Sequence, residues 1–179
     1  MTVETVQAAS VGSLDEWTLV AGASKPVAVH APDDSATTYI RCSTTSGLTQ
    51  AFVGVPSLAA GSIITQVDIN VRCRRGDAQD ANYVVGYSFD IQGGGTQSGE
   101  SGTLTALSGY GSVQTYTHSG LSVAYGGTLE FYIRNTQARR VECTLLEIVF
   151  TYTPGGGGSS AAPRLARVRI GSKVGGLLT

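Results

Sequence analysis

Two histidines, three cysteines and a few aspartates are the residues on which chemistry could rest, and their spacing argues against most of it. His30 and His118 lie in unrelated strand-like contexts. Neither has a Cys, Ser or carboxylate at a spacing that marks a catalytic set, so both are read as structural or surface histidines. Cys42, Cys73 and Cys143 each sit inside a strand-like run, without the close paired spacing of a zinc site. Three cannot all pair within one chain. They are read as buried free thiols, which suits folding in a reducing cytoplasm. The glycine runs at 93–95 and 155–158 lack the G-x-x-x-x-G-K-[ST] pattern and a following helix, which excludes nucleotide binding. No cofactor and no catalytic residue is expected.

Weaker candidates remain. Asp33 and Asp34 offer carboxylates to a calcium ion, but a site needs several more oxygens, and an acidic turn before a strand is the simpler reading. Asp77 and Asp80 invite the same idea with less support. Arg75-Gly76-Asp77 spells the integrin-binding tripeptide, yet Gly-Asp is ordinary hairpin chemistry. Arg72, Arg74 and Arg75, with Arg139 and Arg140, could form a basic patch; without interleaved aromatics on an acidic body, nucleic acid is not an expected partner. Tyr110, Tyr116 and Tyr125 could stack on sugars, although tyrosines on sheet faces more often pack across strands.

The elements that must position these residues are strands. From Ser62 to Arg75, Val67, Ile69, Val71 and Cys73 alternate with Gln66, Asp68, Asn70, Arg72 and Arg74. A period of two puts one face on a core and the other in water. Residues 2–11 read as a strand or an N-terminal arm (1–12). Further strands are predicted at 16–21, 26–30, 33–41, 47–55, 82–92, 100–107, 112–118, 128–135 and 141–152. The alternation of the last changes phase at Leu145-Leu146, where a β-bulge would reconcile its halves. No window shows a capped helical stripe. The pattern predicts an all-β, antiparallel two-sheet sandwich of jelly-roll type, with a C-terminal extended tail.

The domain plan is a body over 1–153, a Gly/Ser-rich linker over 154–162 and a basic tail over 163–179. Residues 1–153 hold 8 basic and 13 acidic side chains, whereas 154–179 hold four basic ones and no acid. Charged residues make up only 14% of the chain, low for an exposed monomer and suited to a protein packed against neighbours. The N-terminus carries an acid where a signal peptide would carry a base, and no apolar stretch could cross a bilayer. In the tail, Val168 and Ile170 alternate with Arg167 and Arg169, a strand pattern with no partner of its own. Strand addition to a partner's sheet edge would employ Arg164, Leu165, Arg167, Val168, Arg169, Ile170, Lys173, Leu177 and Leu178.

The runs W-T-L-V-A-G-A-S, D-D-S-A-T-T-Y-I-R and I-I-T-Q-V-D-I-N-V-R-C-R-R resemble β-sandwich virion proteins of tailed bacteriophages over about residues 16–153. The similarity also touches carbohydrate-binding modules of the same architecture. The resemblance implies a structural role as a capsid decoration, minor capsid, fibre or adaptor protein, and brings no catalytic residues. The expected function is a structural virion protein, assembled in the host cytoplasm, that binds coat or tail subunits through its surface and tail. A homo-oligomer, with a trimer as its expected form, follows from the habits of jelly-roll coat proteins. The alternative is a carbohydrate-binding module or a receptor-binding tail or fibre protein. A sandwich glycosidase comes third, for want of a convincing carboxylate pair.

Overall fold

The computed structural model describes residues 1–30, 38–59 and 61–155. Asp33, Asp34 and every tail residue named above lie outside the described residues. Within them the chain forms ten strands and one short helix. These are β1 (Thr2–Asp15), β2 (Thr18–Ala21), α1 (Lys25–Ala28), β3 (Tyr39–Arg41), β4 (Thr49–Gly54), β5 (Ile63–Arg75), β6 (Ala81–Ile91), β7 (Thr96–Glu100), β8 (Leu104–Ala106), β9 (Gln114–Asn135) and β10 (Val141–Thr153).

All pairings are antiparallel, and they divide into two sheets that share two strands. In sheet A, β10 lies between β5 on one side and β3 and the first half of β1 on the other. β2 continues beyond β3, and the first half of β9 beyond β5. In sheet B the order is the second half of β1, then β4, the second half of β9, and β6, which pairs with both β7 and β8. Strand β1 leaves sheet A after Gln7 and joins sheet B at Ala8. Strand β9 leaves β5 at Ala124 and joins β6 at Tyr125. Strands that switch sheets close the corners of a sandwich, and the result is the jelly-roll-like β-sandwich that the alternation predicts.

The 22-residue length of β9 corrects the sequence reading, which places separate strands at 112–118 and 128–135. Gly120, Gly126 and Gly127 look like terminators but act as bends. Gly127 has φ +134, and a Cβ at Gly126 would lie 2.5 Å from the Gln92 amide nitrogen, so the strand folds against β6 where only glycine fits. A second correction is α1, where 26–30 reads as strand. Ser24 caps the turn through its hydroxyl to the Val27 amide, and Pro26 is preset for a first helical turn, which outweighs the β-branched valines. Of the two readings of the N-terminus, the strand is the one formed.

The core lies between the sheets. Val67, Ile69 and Val71 of β5, Phe89 of β6, Phe131 of β9, and Ile148 and Phe150 of β10 are all buried. Phe89 of sheet B meets Phe150 of sheet A edge-on at 5.7 Å, and Tyr125 packs 5.6 Å from Phe89. Each such side chain contributes about 1.5–3 kcal/mol of burial. The expected phase change in β10 is present as a register shift between Cys143 and Leu145.

Candidate functional site

On β9 the inward residues Leu129, Phe131 and Ile133 are fully buried, so Glu130, Tyr132 and Arg134 must face out of sheet B. Register then sets their neighbours. Tyr132 is flanked by Ala51 of β4 and Gly86 of β6, and Glu100 of β7 follows Gly86 in the same row. Two small residues beside a large one leave the tyrosine free to lie down. A Cβ at Gly86 would sit 2.4 Å from the Tyr132 Cζ and Oη atoms, so the ring crosses directly over this glycine. Its hydroxyl donates to Glu100 Oε2 at 2.7 Å, two strands away. Tyr132 therefore lies along the sheet surface rather than standing up from it.

Charged and polar groups fix the surroundings of the ring. Arg134 donates to both Glu100 oxygens at 2.7 and 2.8 Å. Burial acts to raise the Glu100 carboxyl, but the Tyr132 hydroxyl and the Arg134 guanidinium outweigh it and hold the group below its ordinary range. Burial, with the adjacent carboxylate, pushes the Tyr132 hydroxyl well above its ordinary range, so it stays a donor. On the next row Glu130 accepts from the Ser13 hydroxyl at 2.9 Å and from the Ser13 amide. Between these groups runs a groove of about 310 Å³, lined by Ser13, Leu14, Thr49, Ala51, Ser88, Glu130, Tyr132 and Arg134. Leu14, 47% exposed, gives it an apolar wall. Glycoside hydrolysis needs one carboxyl kept protonated near neutrality. Glu100, beside the groove and not in its lining, is held below its ordinary range and is not such a proton donor.

The residues singled out from sequence go elsewhere. Tyr110 lies with its ring 4.5 Å from the Arg74 guanidinium, Tyr116 is half-buried against the core, and Tyr125 belongs to the aromatic cluster. None reaches the groove. His30 Nε2 is 2.7 Å from the Ala8 carbonyl oxygen, and His118 Nδ1 is 2.8 Å from the Tyr87 hydroxyl; both are structural contacts. Four of the five arginines of the expected basic patch are engaged by other groups. Arg74 pairs with Glu142, Arg75 with Asp80, and Arg139 hydrogen-bonds Gln79. Arg72 bonds the Gly111 carbonyl at 2.8 Å. Asp77 accepts the backbone amides of Gln79 and Arg140, so the Arg-Gly-Asp segment begins a loop that carries the chain from β5 in sheet A to β6 in sheet B, and not the hairpin read from the sequence. Cys42, Cys73 and Cys143 are buried free thiols. Tyr132 was missed. Its outward position was readable from the Leu129, Phe131, Ile133 alternation, but the glycine opposite it was not.

No family model matches the sequence, and no curated protein is significantly similar to it. Solved structures are similar in fold. A xylan-binding CBM22-1 domain of Paenibacillus barcinonensis Xyn10C superposes with a TM-score of 0.50 at 12% identity, over 83% of this chain and 94% of that one. The tandem CBM22-1–CBM22-2 domain of the same enzyme gives a TM-score of 0.52 at 12% identity, over 89% of this chain and 48% of that one. The enzymatically active domain of bacteriophage CBA120 tailspike protein 4 gives a TM-score of 0.41 at 10% identity, over 84% of this chain and 19% of that one, too loose a likeness to carry an argument. What these comparisons establish is the architecture: this chain has the β-sandwich fold of carbohydrate-binding modules.

Proposed function

We propose that this protein is a non-catalytic glycan-binding β-sandwich that holds a saccharide chain in the groove on the outer face of sheet B. The observation that carries the reading is Tyr132 laid over Gly86, with Glu130, Ser88 and Arg134 beside it. A sugar ring is apolar on its faces and polar at its rim. A recumbent aromatic ring receives the face, and flanking carboxylate, hydroxyl and guanidinium groups receive the hydroxyls. The fold shared with a xylan-binding domain supports it, and xylan is a natural first ligand to test.

The test is affinity electrophoresis of the full chain through gels containing xylan, mixed-linkage glucan, mannan or bacterial surface polysaccharide. Retardation by at least one polymer, abolished in folded Tyr132→Ala, is expected. Equal migration of wild type and variant in every gel sinks the proposal.

A second reading is a structural virion component anchored through its tail, favoured by the acid-free basic segment beyond the glycine-rich linker. The two combine in a receptor-binding virion protein, whose body binds glycan while Arg164 to Leu178 bind neighbouring subunits. Deleting 163–179 should then leave glycan retention intact and abolish incorporation into particles. Normal occupancy of the truncated chain would discard the anchor.

A further inference from the structure

Strands β5 and β10 run antiparallel, and Cys73 and Cys143 are direct register partners across them. Opposed residues in an antiparallel ladder have Cα atoms about 4.5–5.5 Å apart, inside the span of about 4.4–6.8 Å that a disulfide bridges. Both side chains point into the core beside Tyr83, so their sulfurs share one side of the ladder. Accessibility separates them. Cys143 is fully buried, whereas Cys73 keeps 8% exposure and is one of the residues lining a cavity of about 100 Å³. Gly109, Gly111, Ser112 and Gln114 line that cavity, small or uncharged residues that admit a small polar molecule.

The third thiol is engaged elsewhere. Cys42 Sγ accepts the Val141 amide at 3.1 Å and donates to the Arg139 carbonyl at 3.4 Å. No cysteine faces it across a ladder.

We propose that Cys73 and Cys143 form an oxidisable pair that closes into a cross-strand disulfide when the protein meets a peroxide. In the first step the Cys73 sulfur attacks one peroxide oxygen. The S–O bond forms, the O–O bond breaks, and the leaving oxygen departs as water after taking the thiol proton. In the second step the Cys143 sulfur attacks the Cys73 sulfenic acid. The S–S bond forms, the S–O bond breaks, and the hydroxyl leaves as a second water with the Cys143 proton. Two thiols and one hydrogen peroxide become one disulfide and two waters. Burial holds the Cys73 thiol protonated at neutral pH, so closure is slow. A slow reaction keeps the pair reduced in a cytoplasm and lets it close on long exposure outside one. The bond would tie the two central strands of sheet A together, independently of the groove on sheet B.

The experiment incubates the native full chain with excess hydrogen peroxide, alkylates remaining thiols, and maps peptides by mass spectrometry. Before alkylation the intact mass should fall by about 2 Da, with Cys73 joined to Cys143 and Cys42 alkylated. Cys42→Ser should behave the same way. Cys143→Ser should instead leave a sulfenic acid at Cys73 that dimedone labels. The oxidised wild type should unfold several degrees higher than the reduced form. Three alkylatable thiols after prolonged peroxide treatment would overturn the proposal. So would a bond to Cys42, or over-oxidation of Cys73 without a disulfide. Because the wild-type map decides these outcomes, a poorly folding variant does not rescue the idea.

Discussion

The outer faces of the two sheets are built from similar residues and have opposite characters. On sheet A the polar side chains satisfy one another across neighbouring strands. Thr115 donates to Asn70 at 2.8 Å, and Asn70 donates to Glu147 at 2.9 Å. One row along, Thr117 and Gln66 both donate to Asp68, at 2.6 and 2.8 Å. Farther along, the buried Glu142 carboxylate takes Arg41 and Arg74 together, with Tyr39 over Arg41 and Tyr110 over Arg74. On sheet B, Ala51 and Gly86 interrupt such a ladder, so a tyrosine lies down and a groove opens beside it. A polar strand face is therefore not yet a binding face. The difference lies in the size of the residues on adjacent strands, which decides whether a polar face closes into a continuous ladder or leaves a groove beside its hydrogen-bonded groups.

The comparison can be broken at its common support first. Both faces back onto one core, so Val71→Asp places an uncompensated charge there and should unfold the body and abolish every function. Far-UV circular dichroism checks it, and a native-like spectrum would show the face assignment of β5 to be wrong. Next, Glu142→Ala leaves Arg41 and Arg74 facing each other without their shared anion. A loss of about 3 kcal/mol in urea unfolding is expected, at the low end for a broken buried pair because both arginines are partly exposed. Glycan retention should survive wherever this variant is folded.

Gly86→Ala sharpens the contrast from the other side. The added methyl would occupy the space of the Tyr132 ring tip, lift the ring and break its bond to Glu100. Stability should change by about 1 kcal/mol, whereas affinity for the retarding glycan should fall at least about tenfold, or about 1.4 kcal/mol. Equal affinity would mean that the recumbent ring is not the platform. On sheet A, Thr117→Val removes one exposed hydrogen bond. It should cost about 0.5–1 kcal/mol and leave binding untouched.

The smallest effect is in pH. Glu100 is held below its ordinary value of 4.5, so its contribution to stability is fully present above that value and is lost as pH falls through the folded value. Melting temperatures of wild type and Glu100→Gln should converge on acidification below that range. Parallel curves would count against the Tyr132–Glu100–Arg134 cluster.

The strand content, the face of β5, the bulge in β10 and the buried state of the cysteines were legible in the sequence because each depends on neighbours along the chain. Period-two alternation from Gln66 to Arg74 assigns an inside and an outside without reference to any other strand. The same local logic failed at α1, where a serine cap and a proline outweighed valine, and at β9, where glycines that bend a strand resemble glycines that end one. For Tyr110, Tyr116 and Tyr125 it favoured packing over sugar stacking, and they do pack; it did not single out Tyr132, because exposure cannot be read from residue type.

Only the tertiary structure decided which residues stand side by side. Gly86 lies 46 positions before Tyr132, and Glu100 lies 32 before it, yet the three form one row. Cys73 and Cys143 are 70 apart and oppose each other by register alone. Hydrogen bonding between distant strands sets that register, and a shift of one residue would turn each of these side chains to the opposite face. By itself the sequence determined that this chain is a sandwich with a polar exterior. The pairing of strands determined that one part of that exterior has room for a ligand.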